Sequence, residues 1–321
     1  MRRSRGWLCV FAVLMFVSPN TAAQSGQPAS PAVRVYTSEG KESSLEEIVA
    51  AMGAAQVVFV GETHNSAAAH WVELRLLEGA FQRHGAAAPN AAPARSIVLS
   101  LEMFERDVQT VLDEYLAGFV IERHFLAAAR PWKNYEADYR PMVEFARAHK
   151  LAVVAANAPE RYVNRVGRLG PDALRELSAE AKRWLPPLPY ARASDEYAAK
   201  FKRVMGANAA HGAPHGNPFS LDAQALRDAA MAHSIAEQLR ARGDRALVLH
   251  VTGNFHSEGG LGTPEHLRAY RPGVKTLVVT VLPPGEKPPA DPTGFKSLGD
   301  FVITSDPAAL APSGPNAPAT N

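Results

Sequence analysis

Cysteine is almost absent from this sequence, because the 321 residues include only one, Cys9. A single thiol excludes an intramolecular disulfide, and it excludes a metal site built from several thiolates. Any metal that the chain binds would therefore be held by histidine nitrogens or by oxygen and amide ligands.

Signatures of several common protein classes are also missing. The sequence has no glycine-rich loop of the kind that cradles phosphates, and no Gly-x-Ser-x-Gly segment that would expose a nucleophilic serine. Charge of one sign is not in excess, since 34 lysines and arginines against 32 acids give a formal net charge of +2. That balance argues against nucleic acid as a partner.

The N-terminus has the layout of a cleavable export signal. Three arginines precede an apolar stretch at residues 7–17, and small residues follow at 21–23. The apolar stretch is too short to span a bilayer, which disfavours the alternative of a retained membrane anchor. We therefore predict a signal peptide over residues 1–23 and an exported protein, periplasmic or secreted. Cleavage would remove Cys9 and three arginines but no acid, so the net charge would change from +2 to −1.

Short apolar runs alternate with segments of helical periodicity along the rest of the chain. No run is long enough for a transmembrane segment in the mature chain. Runs of this length, ended by glycine or polar residues, indicate buried strands of a parallel sheet and predict an α/β fold with right-handed crossovers. The predicted strands are Val57–Val60, Ile97–Leu101, Leu151–Ala156, Ala246–Val251 and Val274–Leu282.

Composition divides the exported part of the chain into three regions. Residues 24–32 are rich in Ser, Gly, Pro and Gln and predict a flexible arm. Residues 33–282 form the predicted α/β domain, which includes a helical insertion at about 160–241. Residues 283–321 are predicted to be a proline-rich tail, partly disordered, with an edge strand at Phe301–Thr304.

The pattern Gly-x-x-His occurs twice directly after a predicted strand. The first instance runs from Gly61 to His64 and the second from Gly253 to His256, while a third strand ends at Glu102. Because open α/β sheets build their sites at the carboxyl ends of their strands, these side chains are predicted to share one edge. The predicted site contains two carboxylates and two imidazoles, from Glu62, His64, Glu102 and His256.

This set of groups suits two kinds of chemistry. Glu62 and His64 are two residues apart and point to the same side of an extended segment. Carboxylate and imidazole can bind a divalent metal, with Glu62, His64 and His256 as predicted ligands, or they can transfer protons. The alternative is that each side chain only caps nearby backbone. Asp228, on the predicted long helix, is expected on a solvated face.

The same motifs resemble those of a known family. The segment Val57–His64, followed by His70, resembles the opening motif of the ChaN family, the haem-binding uptake proteins of the Tiki/TraB/EreA superfamily. Further blocks similar to that family occur in the family's order. They are Leu101–Arg106, Ala155–Pro159, Ala223–Ala232 and Val251–His256.

The resemblance implies a fold and a binding function. The implied fold is a three-layer α/β/α arrangement with a largely parallel central sheet, and the implied role is the handling of haem or the acquisition of iron at the cell envelope. A homodimer that buries haem between subunits is implied as well, with an envelope haem receptor or transporter as a partner. Candidate cofactor-binding residues are His70, Asn157, Asn254 and Tyr197.

The resemblance also leaves an enzymatic alternative open. Tiki-like and EreA-like branches are hydrolases, so this chain would then be a metal-assisted or base-assisted protease or esterase. In that case the catalytic residues would be Glu62, His64, Glu102 and His256. The sequence departs from lipoprotein members of the family because it lacks their lipid-attachment cysteine, and Phe255 replaces the smaller residue that many members have beside the last histidine.

Overall fold

A computed structural model describes residues 31–85, 94–210 and 217–306, without the side chains of 205–210. The predicted signal peptide, most of the predicted arm and residues 307–321 of the predicted tail lie outside the described residues. Within the described ranges, no helix is long and apolar enough to cross a membrane.

A single sheet of eight strands organises the chain. Its order is β2-β1-β8-β7-β3-β6-β4-β5. All neighbouring pairs from β8 to β5 are parallel, and only β1 runs antiparallel to its neighbours β2 and β8. The strands are β1 Val33–Thr37, β2 Glu42–Ser43, β3 Val57–Glu62, β4 Ser96–Glu105, β5 Ala152–Asn157, β6 Ala246–Gly253, β7 Thr276–Val281 and β8 Phe301–Ser305.

Helices connect the strands and cover the sheet. The α-helices are α1 Leu45–Ala51, α2 Ala67–Ala80, α3 Gln109–Leu116, α4 Glu122–Ala129, α5 Arg140–Ala148, α6 Glu160–Leu169, α7 Ala179–Lys182, α8 Asp195–Ala210, α9 Ser220–Arg242, α10 Thr263–Tyr270 and α11 Pro292–Leu298. Short 3-10 helices occur at Met52–Ala54, Arg106–Val108, Pro171–Glu176, Gly243–Arg245, Asn254–His256 and Glu258–Gly260, and π-helical turns at Phe81–Gly85 and Tyr135–Tyr139.

Strand β3 shows why the sheet needs helices on both faces. Its residues are all buried, and they alternate between two hydrophobic clusters. Val58 and Val60 pack with α2 and α5, whereas Val57 and Phe59 pack with α9 and α10 on the other face. A strand whose two faces are both apolar is stable only when both faces are covered. The predicted α/β fold with a largely parallel central sheet is therefore confirmed.

The C-terminal region differs from the prediction. Strand β8 does not lie at an edge, because it pairs with β1 on one side and β7 on the other. The domain therefore continues past residue 282 to Ser305, and the prolines before α11 belong to a connection rather than to a disordered tail. The buried positions Val302 and Ile303 explain this placement, since each faces apolar side chains on one side of the sheet.

Candidate functional site

The order of the strands brings the predicted residues to one place. Strand β6 lies between β3 and β4, with Glu62 of β3 opposite Gly253 of β6. A cleft of about 410 Å³ lies at this carboxyl edge of the sheet. His64, Glu102 and His256 line this cleft. The expectation that the strand ends would be adjacent is therefore confirmed.

The first imidazole, His64, is held by the carboxylate that precedes it. Its Nδ1 lies 2.9 Å from Glu62 Oε1, and the Tyr139 hydroxyl donates to the same oxygen at 2.5 Å. The ring packs edge-on against Trp132, with 4.4 Å between the ring centroids, yet its side chain stays 47% exposed. Burial lowers the pKa of His64, but the hydrogen bond with Glu62 and the charge of Glu102 outweigh it, so the pKa is raised.

The second imidazole, His256, is held by a carboxylate from a distant helix. Its Nδ1 lies 2.8 Å from Oδ1 of Asp228 on α9. The Thr263 hydroxyl donates to Oδ1 of Asp228 at 2.8 Å, and the Tyr197 hydroxyl donates to Oδ2 at 2.5 Å. Burial lowers the pKa of His256, but the charges of Asp228 and Glu102 prevail, so this pKa is raised as well.

Glu102 lies between the two rings. The Thr252 hydroxyl and the Gly253 amide donate to its Oε2 at 2.6 and 2.8 Å, and its Oε1 lies 3.7 Å from His256 Nε2. Burial would raise the pKa of this carboxyl, but the charges of His256 and His64 together with both hydrogen bonds hold the pKa at about 2. Glu102 is therefore an anion that stabilises positive charge on its neighbours.

Gly253, the last residue of β6, leaves the space that the His64 ring occupies. A Cβ on this residue would lie 2.9 Å from Cε1 and 3.1 Å from Nε2 of His64. The same hypothetical Cβ would lie 3.8 Å from Glu102 Oε2. Only a residue without a side chain therefore lets the His64 ring approach the backbone of β6 this closely.

Together these contacts form two carboxylate–imidazole dyads on either side of Glu102. In the first dyad (Glu62–His64) and in the second dyad (Asp228–His256), Nδ1 is engaged by a carboxylate. Such a partner fixes the ring and leaves Nε2 as the nitrogen for chemistry. The cleft can therefore accept or donate a proton at either ring, beside a permanent negative charge.

Comparison with known proteins agrees with this architecture. A family model described as haem-binding uptake, Tiki superfamily, ChaN, matches residues 48–267. The chain belongs to the ChaN family. ChaN of Campylobacter jejuni, solved with cofacially bound haem, is 17% identical, with a TM-score of 0.57 over 85% of this chain and 97% of that one, and so it shares the fold.

More distant similarity extends beyond the ChaN proteins. The erythromycin esterase EreC is 13% identical, with a TM-score of 0.45 over 86% of this chain and 83% of that chain. No curated protein matches the chain by sequence.

The candidate cofactor residues of this ChaN family member occupy different environments. Asn157, at the end of β5, lines the cleft. Asn254 donates from Nδ2 to the carbonyl of Val281 at 2.8 Å and packs beside Gly61. Tyr197 is 1% exposed and its hydroxyl is bound to Asp228, so it positions the second dyad and presents no surface to a cofactor.

His70 lies behind the cleft rather than in it. Its Nδ1 lies 3.0 Å from Oε2 of Glu73, and Glu62 and His70 are both buried. Within the part of the chain that the structure describes, Glu62, His70 and Glu73 are the group whose ligand atoms all lie within 4.8 Å of one another. The set Glu62, His64 and His256, predicted as metal ligands, does not form such a group.

Sequence reasoning missed the carboxylates that come from helices. Asp228 is fully buried, so the expected solvated face is wrong for this residue. The sequence signal for it was an aspartate on a helix face with small residues one turn away on either side, Ala225 and Ala232, both of which are buried. Glu73 had a similar signal, because it lies three residues after His70 on the buried face of α2.

Proposed function

We propose that this protein is an exported haem-binding protein that takes part in haem or iron uptake at the cell envelope. The observation that carries this proposal is the match to the haem-binding ChaN family over residues 48–267. The proposed export rests on the leader-like N-terminal sequence. The proposed assembly is a homodimer that binds haem between its subunits and passes it to an envelope receptor or transporter.

The described residues fit haem as a cargo. Haem iron accepts a histidine or a tyrosine as axial ligand. Tyr135 and Tyr197 are buried, whereas the imidazoles of His64, His124 and His149 are exposed. A cargo that is loaded and released needs accessible ligands, and this favours histidine from the described part of the chain.

One exposed surface also offers apolar contact to a porphyrin. Phe119 and Ile121 are 83% and 61% exposed, and they directly precede the exposed His124 at the start of α4. Large apolar side chains left in water often mark a binding surface. We assign the haem contact to this surface, residues 119–124, with His124 as the axial ligand.

A hemin titration of the purified protein, followed by visible absorption and by sizing, tests this function. We expect a saturable change in the haem spectrum and a haem-bound dimer. His124→Ala should weaken binding and alter the spectrum, and the exposed His149→Ala is the matched control. No saturable change together with a monomeric protein would refute haem binding. An unaltered spectrum in His124→Ala would refute only the assigned ligand.

A second candidate function is hydrolysis of an ester or a peptide. It is favoured by the two dyads, in which a carboxylate engages Nδ1 of each ring and Nε2 of His256 lies 3.7 Å from the anionic Glu102. In this function one imidazole would take a proton from water and the other would donate one to the leaving group. An assay with activated esters and peptides should then show turnover that His256→Gln abolishes. Equal turnover in the wild type and in His256→Gln would exclude this candidate.

A further inference from the structure

The His70 imidazole faces only acceptors, and this is unusual for a buried ring. Its Nε2 lies 3.0 Å from the carbonyl oxygen of His64 and 3.6 Å from Asp138 Oδ2. Its Nδ1 lies 3.1 Å from Glu62 Oε2 and 3.0 Å from Glu73 Oε2. A neutral imidazole has one N–H, so it cannot satisfy the acceptors on both sides.

If the ring is neutral and carries its hydrogen on Nε2, nothing positive faces the carboxylates at Nδ1. If Nε2 carries a hydrogen, it donates to the His64 carbonyl, and the lone pair of Nδ1 then faces two carboxylates. Glu62 and Glu73 are 3% and 0% exposed, so little water screens their charges. Glu62 Oε2 and Glu73 Oε1 also have no hydrogen-bond partner among the described residues. Positive charge at Nδ1 is supplied either by a second ring proton or by a metal ion, and a metal ion could in addition bind both carboxylates at once.

We propose that Glu62, His70 and Glu73 form a binding site for one divalent transition-metal ion. Two carboxylate oxygens and one imidazole nitrogen are a common ligand set for Zn²⁺ in proteins, and they also suit Mn²⁺ or Co²⁺. The three ligand atoms lie within 4.8 Å of one another. The Nε2 contact with the His64 carbonyl is the outer-shell bond that metal-bound histidines usually make.

Local sequence explains how these ligands come together. Glu62 is the last residue of β3, and helix α2 begins shortly after it, with Ser66 as its N-cap accepting from the Ala69 amide at 3.3 Å. His70 and Glu73 are three residues apart on α2, so they lie on one face of the helix. A capped helix that starts so soon after the strand therefore aims both side chains at Glu62.

The proposed metal would act on the cleft through Glu62. Its Oε2 faces His70, whereas its Oε1 accepts from Tyr139 and contacts His64 Nδ1. A metal on the Oε2 side would fix this carboxylate and hence the orientation of the His64 ring. His70 and Glu73 would thus be positioning residues for the first dyad, acting through Glu62. This site goes beyond the proposed haem binding and does not depend on it.

Titration of chelator-stripped, full-length protein with Co²⁺ tests the site, because bound Co²⁺ has a visible absorption spectrum. We expect one equivalent to bind and Zn²⁺ to displace it. Glu73→Gln, which keeps the shape of the side chain, should weaken binding at least about tenfold, since loss of even an outer-shell partner costs about 10- to 100-fold. Glu78→Gln is the matched control on the same helix, because Glu78 pairs with Arg75 and not with the site.

Two further measurements separate this site from a metal in the cleft. His256→Gln should leave Co²⁺ affinity unchanged. X-ray absorption of Zn²⁺-loaded wild-type protein should show one imidazole ligand, whereas the set Glu62, His64 and His256 would give two. Absence of Co²⁺ binding by the wild type, equal binding by a folded Glu73→Gln, or two imidazoles in the X-ray absorption would each overturn the proposal. The number of imidazole ligands on Zn²⁺ in the wild-type protein distinguishes the two sites even if Glu73→Gln does not fold.

Discussion

The two dyads begin from the same four-residue motif and are built differently. The first dyad uses a carboxylate from its own motif, and its ring is 47% exposed. The second dyad uses Asp228 from α9, and its ring is 8% exposed. A ring held locally can move without disturbing the fold, whereas a ring held by a buried helix side chain is coupled to the packing of the whole domain. The second dyad is therefore expected to contribute more to stability.

The largest expected effect is that of Asp228→Asn. This change removes the charge that holds His256, and it weakens the hydrogen bonds from Thr263 and Tyr197. Loss of one partner from a buried pair costs about 3 kcal/mol or more in free energy of unfolding. Urea unfolding monitored by circular dichroism measures this cost.

Asp222→Asn, in the first turn of the same helix, is the control for that change. It removes a charge only partly buried near the helix N-terminus, so it should cost less than about 1 kcal/mol. Equal costs for the two variants would show that the second dyad is no more coupled to the fold than an ordinary helix carboxylate.

A smaller difference between the dyads is expected in the pH dependence of stability. The pKa of His256 is raised above 6.5 in the folded protein. The protonated ring therefore contributes fully to the free energy of unfolding below pH 6.5, and this contribution is lost as pH rises through the folded pKa. The stability advantage of wild type over His256→Gln should therefore shrink as pH rises above about 6.5.

His64→Gln provides the comparison for that measurement. The pKa of His64 is also raised, but its half-exposed ring is screened by water, so its share of the pH dependence should be smaller. Urea unfolding of wild type and both variants across the same pH range shows how the stability lost in each variant changes with pH. A larger change for His64→Gln than for His256→Gln would reverse the proposed ranking of the dyads.

The smallest effect on stability is expected from Gly253→Ala. The new Cβ would meet the tip of the His64 ring, which is exposed enough to swing away. The free energy of unfolding should fall by less than about 1 kcal/mol, as for a substitution that strains no buried packing. If the cleft is catalytic, activity should fall sharply in the same variant. A loss of stability as large as that of Asp228→Asn would show that His64 is rigidly held.

Local sequence patterns predicted the strand ends well, because short apolar runs ended by a glycine or a polar residue are typical of buried parallel strands. This information was enough to place Glu62, His64, Glu102 and His256 along one edge. The partners Glu73 and Asp228 were not predicted, because they belong to helices whose inward faces are set by packing between distant segments. For the same reason, the proline content before β8 suggested a tail, while the pairing that incorporates this strand is with β1, far away in sequence.

The central position of β8 has a consequence for incomplete chains. The last strand of the described chain fills the gap between the first strand and β7, and it pairs with both. Until β8 is in place, β1 has no partner on that side and β7 presents an open row of backbone donors and acceptors. Open edges of this kind pair readily with strands of other molecules. A chain truncated before Phe301 is therefore expected to aggregate, even though every residue of the cleft would still be present.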